Sequence, residues 1–213
     1  MSSNYNRKDH FYNEAKEKGI RSRAYFKLEE LDKKYNLIKK ASKVADLGAW
    51  PGGWMQYVQK KILKDGLLVG IDLVEIDGFN QKNIFCIQGD LNDKECLSKV
   101  LEISKSRFDI VISDMSPKLS GIKESDQARC VAIAELAIYC SSQLLADNGS
   151  LVIKVFKGNE TEDFIRNNRK FFQKFIRAEL DSTRKTSNEF YIVGQGFKLN
   201  DYLKFIDEYY STN

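Results

Sequence analysis

The 213-residue chain sets 34 Lys and Arg against 30 Asp and Glu, a net charge of +4, and its 42% hydrophobic content fills one substantial core. No apolar run reaches the roughly 18 residues that span a bilayer, and the opening MSSNYNRKDHFYNEAK lacks the apolar centre of a secretory signal, so a soluble intracellular protein is expected. Cys86, Cys96, Cys130 and Cys140 form no CxxC pair and have only His10 to complete a metal set, which points to reduced core thiols; the mildly basic balance is compatible with a polyanionic partner without demanding one.

Along residues 1 to 27, Arg7, Lys8, Lys16, Lys18, Arg21, Arg23 and Lys27 interleave with Tyr5, Phe11, Tyr12, Tyr25 and Phe26. That mixture suits a surface pairing with phosphates and stacking on bases, and equally a solvated basic arm anchored by a few aromatics. Ala24, Tyr25, Leu28, Leu31 and Tyr35 then recur at helical spacing, predicting a helix over 22–35 with Ser22 as its cap. Short apolar runs follow: VADLG (44–48), LLVGIDL (67–73), IFCIQGD (84–90), FDIVISD (108–114) and SLVIKVF (150–156). They read as buried parallel strands, and helical segments at 53–63, 93–103, 124–145 and 160–173 lie between or after them. This alternation predicts an open, doubly wound α/β sheet with helices on both faces. A strand at 177–182 and the run FYIVGQGF (190–197) are separated by a short loop, which makes the last strand antiparallel, and 200–210 is expected to close the chain as a helix. With only Pro51 and Pro117 and no low-complexity stretch, neither linker nor repeat is expected.

DLGAWPGGW (46–54) falls where the first strand turns into the first helix of the sheet, the place where such folds bind nucleotide-like ligands. Gly48, Gly52 and Gly53 allow close backbone approach and Pro51 stiffens the turn, yet the pattern is not the GxGxxG of a pyrophosphate site. Asp46 stands where it can meet a cationic or amino-bearing ligand. Asp72, ending the second strand, is placed to accept ribose hydroxyls, and Asp90, ending the third, an adenine amino group. Any one of these aspartates could simply cap a helix, but three at successive strand ends fit an adenosyl ligand without phosphates better than NAD.

From Arg21 to Lys198 the motifs RSRAYFKLEELDKKY, DLGAWPGGW, QGDL, SDMSPKLSG, VIKVFKG and STRKTSNEFYIVGQGFK resemble the FtsJ (RrmJ-type) family of ribose 2′-O-methyltransferases, in that family's order. The likeness is strongest to its bacterial or organellar members that modify a uridine of large-subunit ribosomal RNA. The resemblance implies a Rossmann-like class I methyltransferase with a seven-stranded, mostly parallel sheet ending in an antiparallel strand. It implies a single domain over 1–213, with a basic arm at 1–20 and an extension at 199–213 of no assigned role. It further implies S-adenosyl-L-methionine as cofactor, with Asp46, Gly48, Pro51, Gly52, Gly53, Trp54, Asp72, Leu73, Asp90, Leu91 and Asp114 around it. The family's Lys-Asp-Lys-Glu catalytic tetrad falls on Lys27, Asp114, Lys154 and Glu189. Two positions depart from the family pattern: Trp50, where alanine is usual in the cofactor loop, and Lys118, where asparagine often follows the DMxP turn.

Independently of the family, the expected topology brings Asp114, Lys154 and Glu189 to one edge of the sheet, and Lys27 has to reach them from the N-terminal helix. A lysine inside VIKVF is costly to bury as an ammonium unless acids pair with it, and desolvation is expected to lower its pKa; the alternative is a lysine snorkelling from a strand end. Methyl transfer needs a hydroxyl held in line and relieved of its proton. Lys154 is assigned to that hydroxyl, as base if neutral or as orienting group if cationic, with Asp114 tuning it and Lys27 and Glu189 positioning the ribose. A sulfonium is already a good leaving group, so no metal is called for. Candidate RNA contacts are Arg21, Arg23, Lys118, Lys123, Lys157, Arg184, Lys185 and Lys198, and many of these can equally be plain surface charge. The substrate expected is ribosomal RNA presented within the large subunit to a monomeric enzyme in the cytoplasm or an organelle. The competing readings are a transfer-RNA or messenger-cap 2′-O-methyltransferase, a nicotinamide-dependent oxidoreductase, and a catalytically inert RNA-binding module. The missing GxGxxG opposes the oxidoreductase, and the intact tetrad opposes the inert module.

Overall fold

In a computed structural model the described residues are 10–118, 120–184 and 186–212, with the side chains of Lys123 and residues 209–212 set aside. Residues 1–9, and with them Tyr5, Arg7 and Lys8 of the basic arm, lie outside the described residues, as does Lys185.

Seven strands form one sheet: β1 (Lys43–Leu47), β2 (Leu67–Asp72), β3 (Ile84–Gln88), β4 (Phe108–Ser113), β5 (Leu145–Phe156), β6 (Phe172–Ala178) and β7 (Glu189–Phe197). Their order is β3-β2-β1-β4-β5-β7-β6, parallel from β3 through β5, with β7 antiparallel to both β5 and β6. The chain starts at β1 in the middle, winds outward to β3, then returns to β4 beside β1. That reversal opens a crevice at the carboxyl ends of β1 and β4.

Side-chain alternation sorts the strands onto two faces. Val44, Ile110, Ile112, Val152, Tyr191 and Val193 pack with α1 (His10–Glu17), α2 (Ala24–Tyr35) and α3 (Gly53–Lys61). Their neighbours Ala45, Val111, Leu151, Ile153 and Ile192 pack on the other face with α4 (Lys94–Ser104), α5 (Lys123–Leu144), α6 (Asn159–Asn168) and α7 (Leu199–Thr212). Burial on both sides is why the central strands read as nearly unbroken apolar runs. Among the described residues no helix is long and apolar enough to cross a membrane.

Three expectations need correction. The helix expected over 160–173 ends at Asn168, a single 3₁₀ turn covers Arg169–Phe171, and the strand expected at 177–182 is β6 over Phe172–Ala178. Phe171, Phe172, Phe175 and Ile176 are spaced as on a helix. The edge position of β6, with β7 as its single neighbour, relaxes the alternation that would have marked a strand. Ser22 does not cap α2: the helix begins at Ala24, the N-cap position is Arg23 with no side-chain cap bond, and Ser22 instead faces Gly53. The helix α1 has no counterpart among the expected elements.

Candidate active site

The antiparallel pairing of β5 with β7 sets Lys154 opposite Tyr191 and Phe156 opposite Glu189. Directly opposed residues share a sheet face, and so do positions two apart, so these four side chains gather on one side at the end of β5. Asp114 follows β4, the next strand over. The Lys154 ammonium is buried, 9% exposed, at 3.1 Å from Asp114 Oδ1, and donates to the Asp114 carbonyl oxygen. Tyr191 OH donates to the same Oδ1 at 2.6 Å. Lys27, 6% exposed on α2, donates to Glu189 Oε1 and lies 5.7 Å from the centre of the Tyr191 ring. Thus Lys27, Asp114, Lys154 and Glu189 come together, with a fifth member, Tyr191, that sequence reasoning missed.

The electrostatics follow from that packing. Burial pushes the Asp114 carboxyl upward, but the charges of Lys154 and Lys27 and the Tyr191 hydrogen bond outweigh it and hold the group below its ordinary value. Burial, the Asp114 carboxylate and the Glu189 carboxylate all hold the Tyr191 phenol protonated, which suits it as a donor. Asp46 is the opposite case. It is 1% exposed at the end of β1, its Oδ2 has no hydrogen-bond partner among the described residues, and burial together with the Asp114 and Asp72 charges raises its pKa well above the usual carboxylate range.

Two clefts meet at this edge. One, of about 420 Å³, is lined by Gly48, Trp50, Asp72, Leu73, Asp90, Leu91, Asp114 and Met115, with Ile133 and Leu136 adding apolar wall from α5. Asp72 is fixed there by the Trp50 N–H on Oδ2 and the Val74 N–H on Oδ1, both at 2.9 Å. Exposed Asp90 takes both the N–H and the side-chain amide of Asn92 on Oδ1. The second cleft, about 560 Å³, is lined by Arg23, Lys27, Trp50, Pro51, Phe156, Arg184 and Glu189 among others. Asp114 and Trp50 line both and form the shared wall.

Several expected ligand contacts are placed differently. Trp54 is 3% exposed and its indole N–H is spent on the Ala24 carbonyl at 2.7 Å; it ties α3 to α2 and lines neither cleft. Gly52 and Gly53 leave room for the N-terminal segment, because a Cβ would lie 2.6 Å from Arg21 Nη1 at Gly52 and 2.2 Å from Ser22 Oγ at Gly53. Gly48, at φ +72, gives the same room to Met115. Arg21 is taken up by the Asp77 and Gly78 carbonyls and lies over the Phe79 ring. Arg23 donates to the Ser182 carbonyl at the second cleft, Lys157 pairs with Glu179 at 2.7 Å, Lys118 is exposed, and Lys198 Nζ meets the Lys170 carbonyl. The side chain of Lys123 lies outside the described residues.

A family model described as FtsJ-like methyltransferase matches residues 20–197. The chain is 43% identical over 192 residues to a protein of Methanothermobacter thermautotrophicus named Ribosomal RNA large subunit methyltransferase E, covering 90% of this chain and 91% of that one. A protein of Methanobrevibacter smithii with the same name is 40% identical over 190 residues, covering 89% and 90%. Among solved structures, one described as a ribosomal RNA methyltransferase from Plasmodium falciparum superposes with a TM-score of 0.72 at 28% identity, covering 83% of this chain and 98% of that one.

Proposed function

The chain belongs to the FtsJ-like methyltransferase family, and from that premise we propose that it transfers a methyl group from S-adenosyl-L-methionine to a ribose 2′-hydroxyl of large-subunit ribosomal RNA. The observation that carries this reading is the shared wall: Asp114, which pairs with buried Lys154, lines both clefts, one rimmed by Asp72 and Asp90 and the other by Arg23, Lys27 and Arg184.

The acid-rimmed cleft fits the cofactor. Asp46, which lines neither cleft, keeps at this edge a buried carboxyl oxygen with no donor among the described residues, in the field of Asp72 and Asp114. Asp72, held by two backbone N–H groups, presents its remaining lone pairs to a ribose diol; Asp90 is placed for an adenine amino group, between the apolar walls of Leu73 and Leu91. When bound, the cofactor supplies an electrophilic methyl on a sulfonium.

Lys154 Nζ, paired with Asp114 at the wall of the second cleft, meets the target hydroxyl. It orients a lone pair and stabilises the charge that develops as the proton leaves to the open cleft. Asp114, held ionised, fixes Lys154, and Tyr191 fixes Asp114. Lys27 and Glu189 hold each other at the cleft wall and position the ribose. The names of the relatives support ribosomal RNA as substrate, and a cytoplasmic setting accords with that substrate.

The test is to incubate the protein with labelled cofactor and large ribosomal subunits, free ribosomal RNA, transfer RNA or capped RNA, then map 2′-O-methyl positions. Transfer to one site of large-subunit RNA is expected, and Lys154→Ala should lower turnover by about 10²- to 10⁴-fold while calorimetry shows cofactor still bound. Near-normal turnover by that variant would sink the assignment.

A further inference from the structure

We propose that the exposed indole of Trp50 is a nucleobase subsite, the platform on which the base of the target nucleotide stacks. The inference rests on the reading of the second cleft as the RNA cleft. Of the two tryptophans, Trp54 is buried, whereas Trp50 is 56% exposed and lines the cleft that holds Lys27 and Glu189. Strand order places β4 between β1 and β5, so Trp50 after β1 and Phe156 at the end of β5 flank Asp114. Phe156 is half-buried, which leaves Trp50 with the larger open ring surface.

The turn that carries Trp50 is held on both sides. The Trp50 N–H is spent on Asp72 Oδ2 at 2.9 Å, and the Gly52 N–H closes back on the Ala49 carbonyl at 2.7 Å. A ring on a fixed turn loses little freedom when a flat partner covers it, and every base has a face to offer. The neighbouring cations suit the same occupant: Arg23 and Arg184 line this cleft and can meet the phosphates on either side of a nucleotide whose ribose lies at Lys154.

The experiment measures binding of a short oligoribonucleotide, and of the same oligomer with abasic riboses, to the cofactor-free protein by anisotropy and by tryptophan emission. Wild type should prefer the base-bearing oligomer, with its emission quenched on binding. Trp50→Ala should lose about 5- to 150-fold in affinity for that oligomer and little for the abasic one. Trp50→Phe should restore most of the affinity while abolishing the quench, and circular dichroism of both variants reports the fold. An unchanged ratio of base-bearing to abasic affinity in Trp50→Ala overturns the subsite, and so does a variant that weakens cofactor binding alone. These outcomes are separate from the parent reading: wild-type protein that methylates no RNA 2′-hydroxyl defeats the assigned reaction, whereas the affinity ratio defeats the platform by itself.

Discussion

Asp46 and Tyr191 are both buried polar groups at the sheet edge, and they make opposite contributions. Tyr191 OH is spent on Asp114, so Tyr191→Phe should cost about 1 kcal/mol in thermal or denaturant melts and lower kcat by loosening the carboxylate that holds Lys154. Among the described residues no group donates to Asp46 Oδ2, and the folded pKa of Asp46 lies above its unfolded one. The folded state therefore binds more protons than the unfolded state between those two values, and stability falls as pH rises through that window. Asp46→Asn removes the dependence. At neutral pH it should melt several degrees higher, a gain on the order of 1–3 kcal/mol, with the difference closing towards about pH 4. If Asp46 faces the cofactor's positive charge, the same variant should bind S-adenosylmethionine more weakly by calorimetry; tighter binding would remove Asp46 from the site. The lysine in VIKVF could be picked out of the sequence because a charge in an apolar strand is costly, and the aspartate after FDIVIS because it ends a strand at the same edge of the sheet. Tyr191 could not, since a tyrosine in FYIVGQGF is ordinary strand material and its hydroxyl's partner lies 77 residues away.

At the scale of elements, the site depends on how α2 grips the segment that leads into β7. The Glu30 carboxylate accepts the Asp181 N–H at 2.9 Å, the Ser182 N–H at 3.0 Å and the Ser182 hydroxyl at 2.8 Å, and Arg23 donates to the Ser182 carbonyl. Lys27 sits on the same helix, so one rigid element holds both the lysine and the turn before Glu189. Glu30→Ala should lower kcat by about ten- to a hundredfold with cofactor affinity unchanged, because it misplaces Glu189 and leaves the first cleft intact. A proportional loss of cofactor affinity would mean that the helix supports both clefts. The other end of α2 is secured by Asp32, which accepts the Leu37 and Ile38 N–H groups and the Tyr57 hydroxyl and pairs with Lys61 at 2.9 Å. None of this gripping was legible, because Glu30 and Asp32 look like the polar face of an amphipathic helix. The central strands were legible because burial on both faces leaves uninterrupted apolar runs. The edge strand β6 was misplaced for the opposite reason, as a single neighbour imposes less of a pattern.

Across the whole molecule, a net charge of +4 leaves modest attraction for a polyanion, so the placement of each free cation matters more than the total. Lys157 and Lys118 separate the two cases. Lys157 Nζ lies 2.7 Å from Glu179, and it has to give up that acid or bring it along to reach a phosphate. Lys118 is exposed, and among the described residues no acid stands within ion-pair distance of it. A phosphate contact by an unpaired lysine releases a counterion and steepens the salt dependence of binding by about 0.7 per contact on a single strand. Lys118→Ala should therefore flatten the plot of log affinity against log salt by about that amount, while Lys157→Ala leaves the slope nearly unchanged. If the two variants behave alike, the Lys157–Glu179 pair opens when RNA binds, and that surface has to be redrawn with Glu179 as a competing anion that RNA displaces.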